Sequence, residues 1–130
     1  MIADSSFLVA LFNANDPLHT RAAADLASSE ALLTIPDRIL EETLTVLSYK
    51  FGWKHSLGVL DKIRENRRFE IRHLSEDEWA RVIAISAEAE KKISFPDYVV
   101  IYLSRSEGTL PLTYDAQIVK LAKKGLQPGA

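Results

Sequence analysis

The chain has 130 residues, of which 47% are hydrophobic and 26% are charged, as is ordinary for one globular domain. Its formal net charge of -2 gives no bulk attraction to nucleic acid, and the absence of cysteine excludes disulfides, thiolate zinc sites and thiol nucleophiles. The sequence has neither an apolar stretch of about 20 residues nor a basic segment leading into an apolar one at its start. We therefore expect a cytoplasmic protein with no membrane span, in which binding of RNA would require a local basic patch or bound metal ions.

Short apolar runs alternate with helical patterns along the whole chain. The first apolar residues end at Asp4 and indicate a brief buried strand, which is followed by a helix to Phe12. Further strands are predicted at 31–35, 69–74 and 109–113, and further helices at 18–27, 36–51, 54–66, 75–92, 94–103 and 114–124. Strands that alternate with helices predict an α/β fold with a parallel sheet covered by helices.

Acidic residues recur where predicted strands pass into helices. Asp4 and Asp115 follow the first and last predicted strands, and Asp97 lies in the first turn of a helix that is apolar on every side. Ligands of parallel α/β sheets bind at the carboxyl ends of the strands, so these side chains are expected at one edge. Each also has a local explanation, because Asp4 and Asp115 suit helix caps and Asp97 complements a helix dipole.

A fourth acidic position lies in the predicted helix 36–51, where Glu41 and Glu42 are neighbours. Adjacent helical residues point about 100° apart, so only one of the two can face a given cleft. Glu42 shares a helical row with Ile39 and Val46 beside the apolar face, whereas Glu41 lies in a polar row. We therefore favour Glu42 as the residue that reaches into the fold.

Carboxylates packed together raise one another's pKa values and destabilise the fold unless cations offset their charge. Ligand sets made only of oxygen suit hard cations such as Mg²⁺ or Mn²⁺. Two such ions about 4 Å apart can bind a phosphate, activate a water and stabilise a leaving oxygen. The acidic pattern therefore favours a site for phosphodiester hydrolysis.

Four segments of the chain resemble, in the same order, the motifs of the PIN domain, a metal-dependent ribonuclease fold, and most of all those of VapC-type toxins. The segments are Ile-Ala-Asp-Ser-Ser-Phe-Leu-Val at 2–9, Leu-Glu-Glu-Thr-Leu at 40–44, Pro-Asp at 96–97 and Leu-Thr-Tyr-Asp at 112–115. The resemblance covers essentially the whole chain. It implies one PIN-like nuclease domain over residues 1–130, with three layers and a parallel sheet of four or five short strands flanked by about seven helices.

The resemblance also implies which residues carry the chemistry. The catalytic and metal-binding residues would be Asp4, Glu42, Asp97 and Asp115, supported by Ser6 and Thr113. The cofactor would be Mg²⁺ or Mn²⁺, the substrate RNA, and the partners a second copy of the chain and a cognate antitoxin. Family members usually end in one more apolar strand, and residues 123–130 contain little that could form it.

Three arginines are candidates for binding the substrate. Arg64, Arg67 and Arg68 end a predicted helix and could contact substrate phosphates, or could simply form a solvated end favoured by the helix dipole.

One alternative function is a PIN-like module that binds RNA or protein without cleaving. Another is a receiver-like signalling domain, which needs an aspartate as phospho-acceptor at the end of a central strand. The mid-chain aspartate nearest to such a position is Asp61, and it lies in a helical pattern.

Overall fold

A computed structural model describes residues 1–125 of the chain. Within this range the elements follow in the order α1 (Ser5–Phe12), α2 (His19–Ala27), β1 (Leu33–Pro36), α3 (Asp37–Phe51), α4 (Trp53–Glu65), β2 (Phe69–Arg72), α5 (Glu76–Ala89), α6 (Phe95–Glu107) and α7 (Ala116–Lys124). The predicted α/β class and the prediction of about seven helices are thus confirmed. No helix in the described range is both long and apolar enough to cross a bilayer.

The sheet is smaller than predicted. Strands β1 and β2 pair in parallel with Leu33 opposite Phe69, and the prediction of four or five strands was wrong for the described residues. The expected first and last strands contribute only isolated parallel bridges, from Ile2 to Thr34 and from Ala3 to Leu112. These segments stay so short because α1 begins directly after Asp4 and only three residues separate Leu112 from α7. The possible fifth strand was considered at residues 123–130, and residues 126–130 of this segment lie outside the described residues.

The two bridges nevertheless align four extended segments side by side. Their order across the sheet is Leu112, Ile2 with Ala3, β1 and β2. Backbone hydrogen bonds join the first three segments, for example from Leu112 N to Ile2 O at 2.7 Å and from Ala3 N to Thr34 O at 2.9 Å. Because all pairings are parallel, the carboxyl ends of the segments meet at one edge of the sheet.

Helix α6 is the central helix of the core, and every residue from 98 to 104 is buried. It packs against α5, α7 and α3. A capping box between Ser94 and Asp97 begins it, and Gly108 ends it with a φ of 68°, in the left-handed region that glycine adopts without strain. The helix begins at the exposed residues Ser94 and Phe95, and its first turn brings Asp97 to the sheet edge beside Asp4 and Asp115.

Candidate active site

The four predicted carboxylates line one cavity of about 410 Å³, at the edge where the parallel segments end. Asp4, Glu42, Asp97 and Asp115 all contribute to its wall. Ser5, Ser6, Val9, Asp16 and Leu18 complete the lining. No lysine or arginine of the described chain lines the cavity, so its negative charge is not neutralised by a neighbouring side chain.

Asp4 is the most deeply placed of the four, with 2% of its surface exposed. It occupies the N-cap position of α1, yet its side chain makes no capping hydrogen bond, so the capping interpretation is wrong for this side chain. Instead, Asp4 Oδ2 accepts hydrogen bonds from Ser6 Oγ at 2.9 Å and from Thr113 Oγ1 at 2.7 Å. Asp4 Oδ1 is buried and has no hydrogen-bond partner.

The Ser6 and Thr113 hydroxyls, expected as supporting residues, are oriented by the backbone of the last strand-to-helix turn. Tyr114 N donates to Ser6 Oγ at 3.0 Å, and Asp115 N donates to Thr113 Oγ1 at 3.1 Å. Because each hydroxyl oxygen accepts a backbone N–H, its own proton is free to point to Asp4. The two ends of the chain therefore hold Asp4 in one orientation.

Asp97 and Asp115 each use one carboxylate oxygen to cap a helix. Asp97 Oδ2 accepts from Ser94 N at 3.2 Å, and Asp115 Oδ1 accepts from Gln117 N at 2.8 Å and from Ile118 N at 3.4 Å. Within residues 1–125, no hydrogen bond reaches the second oxygen of either carboxylate. The capping role and a role in the cavity are therefore compatible.

Glu42 is half-buried, and its Oε2 atom is buried without a hydrogen-bond partner. Burial raises the pKa of Glu42, the negative charges of Asp97 and Asp4 raise it further, and the Ser5 hydroxyl lowers it in part. The neighbouring Glu41 is exposed and does not line this cavity. The structure thus places the favoured member of the pair in the cluster.

The same surroundings raise the pKa of the Asp97 carboxyl. Burial raises its pKa, the hydrogen bonds from Ser94 act in the opposite direction, and the charges of Asp4 and Asp115 add to the rise. The charges of Asp4 and Asp115 therefore act on Asp97, and those of Asp97 and Asp4 act on Glu42.

The chemistry of this cluster fits a hard divalent cation. Its donors are all carboxylate or hydroxyl oxygens, and two of the carboxylate oxygens, on Asp4 and Glu42, are buried without partners. A buried anionic oxygen without a partner is costly, and a cation would offset that cost. In the positions found, no three histidine, aspartate or glutamate side chains of the described chain lie close enough together to hold one ion.

A fifth carboxylate, Asp16, also lines the cavity and was missed in the sequence. It lies in the turn between α1 and α2, where its Oδ1 atom accepts from Leu18 N at 2.8 Å. An aspartate before a proline is fully explained by turn formation, so the local sequence carried no signal for a second role.

The three candidate substrate-binding arginines do not line the cavity. Arg68 Nη1 donates to Leu26 O at 2.8 Å and its Nη2 donates to Ala31 O at 3.2 Å, so this guanidinium ties the loop before β1 to the turn before β2. Arg64 and Arg67 are exposed. Asp61, the candidate acceptor of a receiver domain, lies within the exposed face of α4 rather than at a strand end.

The Arg68→Ala variant is expected to lose about 1–3 kcal/mol of unfolding free energy, because two carbonyl groups lose a charged donor. Arg67→Ala removes the same side chain from an exposed position and is expected to change stability by less than about 0.5 kcal/mol. Urea denaturation of both variants measures the difference. Equal stability of the two variants would mean that the Arg68 contacts contribute nothing to the fold.

Comparison with known proteins places this chain in a family. The sequence profile of the PIN domain matches residues 1–124. The crystal structure of VapC20 from Mycobacterium tuberculosis, a toxin that cleaves the sarcin–ricin loop, is similar with a TM-score of 0.79 and 24% identity, over 90% of this chain and 91% of that one. No curated protein matches the chain at a significant level. With nearly its full length matched by the profile, this chain belongs to the PIN domain family.

Proposed function

We propose that the chain is a metal-dependent endoribonuclease, acting as the toxin of a toxin–antitoxin pair and built as one nuclease domain over residues 1–130. The observation that carries this proposal is the cavity in which four carboxylates meet without a cationic side chain, two of them with buried, unpartnered oxygens. A purely structural role gives no reason to gather uncompensated carboxylates in one place, because their repulsion destabilises the fold.

In this proposal Asp4, Glu42, Asp97 and Asp115 hold one or two Mg²⁺ or Mn²⁺ ions. Such an ion, when bound, supplies a water activated at neutral pH and stabilises charge on the leaving oxygen of a phosphodiester. Ser6 and Thr113 act by fixing Asp4 Oδ2, so that Oδ1, which has no hydrogen-bond partner, is the oxygen left for an ion. The helix caps made by Asp97 and Asp115 fix one oxygen of each in the same way.

RNA is the proposed substrate because the chain shares its fold with a toxin that cleaves an RNA loop. By the resemblance to VapC-type toxins, the products would carry 5′-phosphate and 3′-hydroxyl ends. The same resemblance supports a homodimer and a cytoplasmic antitoxin partner. An antitoxin that places a basic side chain among the carboxylates would supply the positive charge that the cavity lacks.

Incubation of the purified protein with a mixed RNA pool tests the proposal. We expect cleavage with Mg²⁺ or Mn²⁺ and none with EDTA, because the carboxylates alone cannot stabilise an anionic phosphorane-like transition state. End analysis of the fragments checks the position of the phosphate. Cleavage that persists in EDTA would contradict the metal dependence, and an absence of cleavage with either ion would favour a non-catalytic PIN-like module.

A further inference from the structure

A second depression of about 500 Å³ lies beside the carboxylate cavity, between α3 and the beginnings of α5 and α6. We call it the aromatic groove. Its apolar wall is formed by Trp79, Phe95, Pro96 and Val46, and its polar rim includes Arg38 and Glu41. Trp79 also packs against the core, whereas Phe95 is exposed, so packing in the core does not explain the position of Phe95.

The aromatic groove shares a wall with the carboxylate cavity. Glu42 lines both of them, and Pro96 in the groove directly precedes Asp97 in the cavity. A group bound in the groove therefore lies beside whatever is bound at the carboxylates. The occupant of the groove is best sought in the same molecule that occupies the cavity.

The ring of Phe95 presents a flat surface to solvent, beside the half-buried ring of Trp79. The rings of Trp79 and Phe95 lie 6.1 Å apart between centroids at an angle of 52°, and Phe95 is 53% exposed. The guanidinium carbon of Arg38 lies 5.5 Å from the centroid of the Trp79 ring. All four nucleobases can stack on such aromatic surfaces, because each has a flat π face.

The charges around the groove favour a neutral occupant. Arg38 is its single cation among the described lining residues, against the carboxylates of Glu41 and Glu42. A phosphate would be repelled by this excess of negative charge, whereas an uncharged planar ring would not. The rim also offers a donor in Arg38 and an acceptor in Glu41, the two functions that pair with the edge of a base.

From this shared wall, shape and charge, we propose that the aromatic groove is a subsite for an unpaired nucleobase adjacent to the phosphate that is cleaved, with Phe95 as its main stacking surface. This inference rests on the proposed ribonuclease function and adds to it. It means that the substrate is RNA with an unstacked base at the cleavage position, as in a loop or bulge. The carboxylates select a phosphate, and the groove selects a base that is free to leave its helix.

Tryptophan fluorescence can read the occupancy of the groove directly. The chain has two tryptophans, and the Trp53→Ala variant leaves Trp79 as the only one. We expect quenching of this variant by a short single-stranded RNA in EDTA, where the RNA stays intact, and no quenching by the same backbone without bases. Equal quenching by the base-free backbone, or no quenching by either molecule, would overturn the proposal. The absence of quenching is also the result expected if the groove binds a peptide.

Replacement of Phe95 measures the strength of the stacking. In the Trp53→Ala background, Phe95→Ala is expected to weaken binding of the single-stranded RNA by about fivefold to a hundredfold, and Phe95→Tyr to leave it within about twofold. The Trp53→Ala protein itself is the matched control, because it has lost an exposed aromatic ring from α4, outside the groove. Equal affinity of the Phe95→Ala and control proteins would overturn the proposal.

The binding and cleavage experiments test the base subsite and the nuclease function separately. Metal-dependent cleavage with unchanged binding after Phe95→Ala would refute the base subsite and leave the nuclease standing. Base-dependent quenching without cleavage under any condition would retain the subsite and remove the catalytic proposal.

Discussion

Asp4→Asn should lower the rate of RNA cleavage by at least about a hundredfold, because a bound cation stabilises transition-state charge by several kcal/mol and each 1.4 kcal/mol is tenfold in rate. Asp4 is the carboxylate with the least exposure, and its Oδ1 atom is free of protein partners. The asparagine oxygen can still accept from Ser6 and Thr113, and the loss of one charge reduces repulsion in the cluster. We therefore expect the unfolding free energy to fall by less than about 1 kcal/mol.

Asp61→Asn is the matched control, since it makes the same chemical change on the exposed face of α4. Cleavage of the mixed RNA pool and urea denaturation are measured on the wild type and both variants. Undiminished cleavage by Asp4→Asn would remove Asp4 from the site. A collapse of its stability instead would show that Asp4 serves the fold, and would leave the loss of activity without a catalytic meaning.

Divalent cations are expected to stabilise the protein strongly at neutral pH. A ligand that binds only the folded state at a hundred times its dissociation constant adds about 2.7 kcal/mol to the unfolding free energy. For a domain of this size that amounts to a rise of about 8–15 °C in melting temperature. Melting in Mg²⁺ or Mn²⁺ against EDTA measures the effect, and Asp4→Asn should abolish most of it.

This stabilisation should grow as the pH rises, because protons and cations compete for the same carboxylates. The folded-state pKa values of Glu42 and Asp97 are raised, mainly by burial, so the folded protein binds more protons than the unfolded chain. Their contribution to stability without metal is greatest below the unfolded pKa values and is lost as the pH rises through the folded ones. A metal ion replaces the missing proton at high pH and is displaced at low pH.

Glu78 causes the opposite dependence of stability on pH under more acid conditions. It therefore sets the lower limit of the pH range for the melting curves. Its hydrogen bonds from the Arg72 guanidinium lower its pKa to about 2, so the stability it contributes is present above its usual value near 4.5 and is lost below that value. Melting curves between about pH 5 and pH 8 therefore avoid the range in which Glu78 loses its contribution, and variants identify the part of the pH dependence that comes from the carboxylate cluster. Glu42→Gln should flatten the pH dependence in EDTA, whereas Glu65→Gln, an exposed change on α4, should not.

The helices could be predicted closely from the sequence because their signals are local. The capping box at Ser75 and the turn at Gly52 mark boundaries that the structure reproduces within about two residues. The number of strands could not be predicted in the same way. A strand exists only through its partners, and Ile2 and Leu112 have room for a single bridge each before the chain turns into a helix.

The candidate site was predicted through spacing and resemblance, with helical periodicity placing Glu42 rather than Glu41 in the cluster. The orientation of Asp4 was beyond local reasoning, because the donor that overrides its capping role is Thr113, 109 residues away in the chain. Asp16 and the groove formed by Trp79 and Phe95 were missed for the same reason. Their local sequences are explained by a turn and by helix packing, and their shared position depends on tertiary contacts.

The parallel arrangement of the first and last extended segments also determines when this site can form during protein synthesis. Ile2 and Ala3 lie between Thr34 and Leu112 in the sheet, so their pairing is complete only after a segment about 110 residues further along the chain has been made. Until Thr113 and Asp115 have left the ribosome, Asp4 lacks one of its two hydroxyl donors and the cavity lacks a wall. The proposed nuclease site therefore cannot be assembled during synthesis before residues 113–115 are free to fold against Asp4 and Ser6.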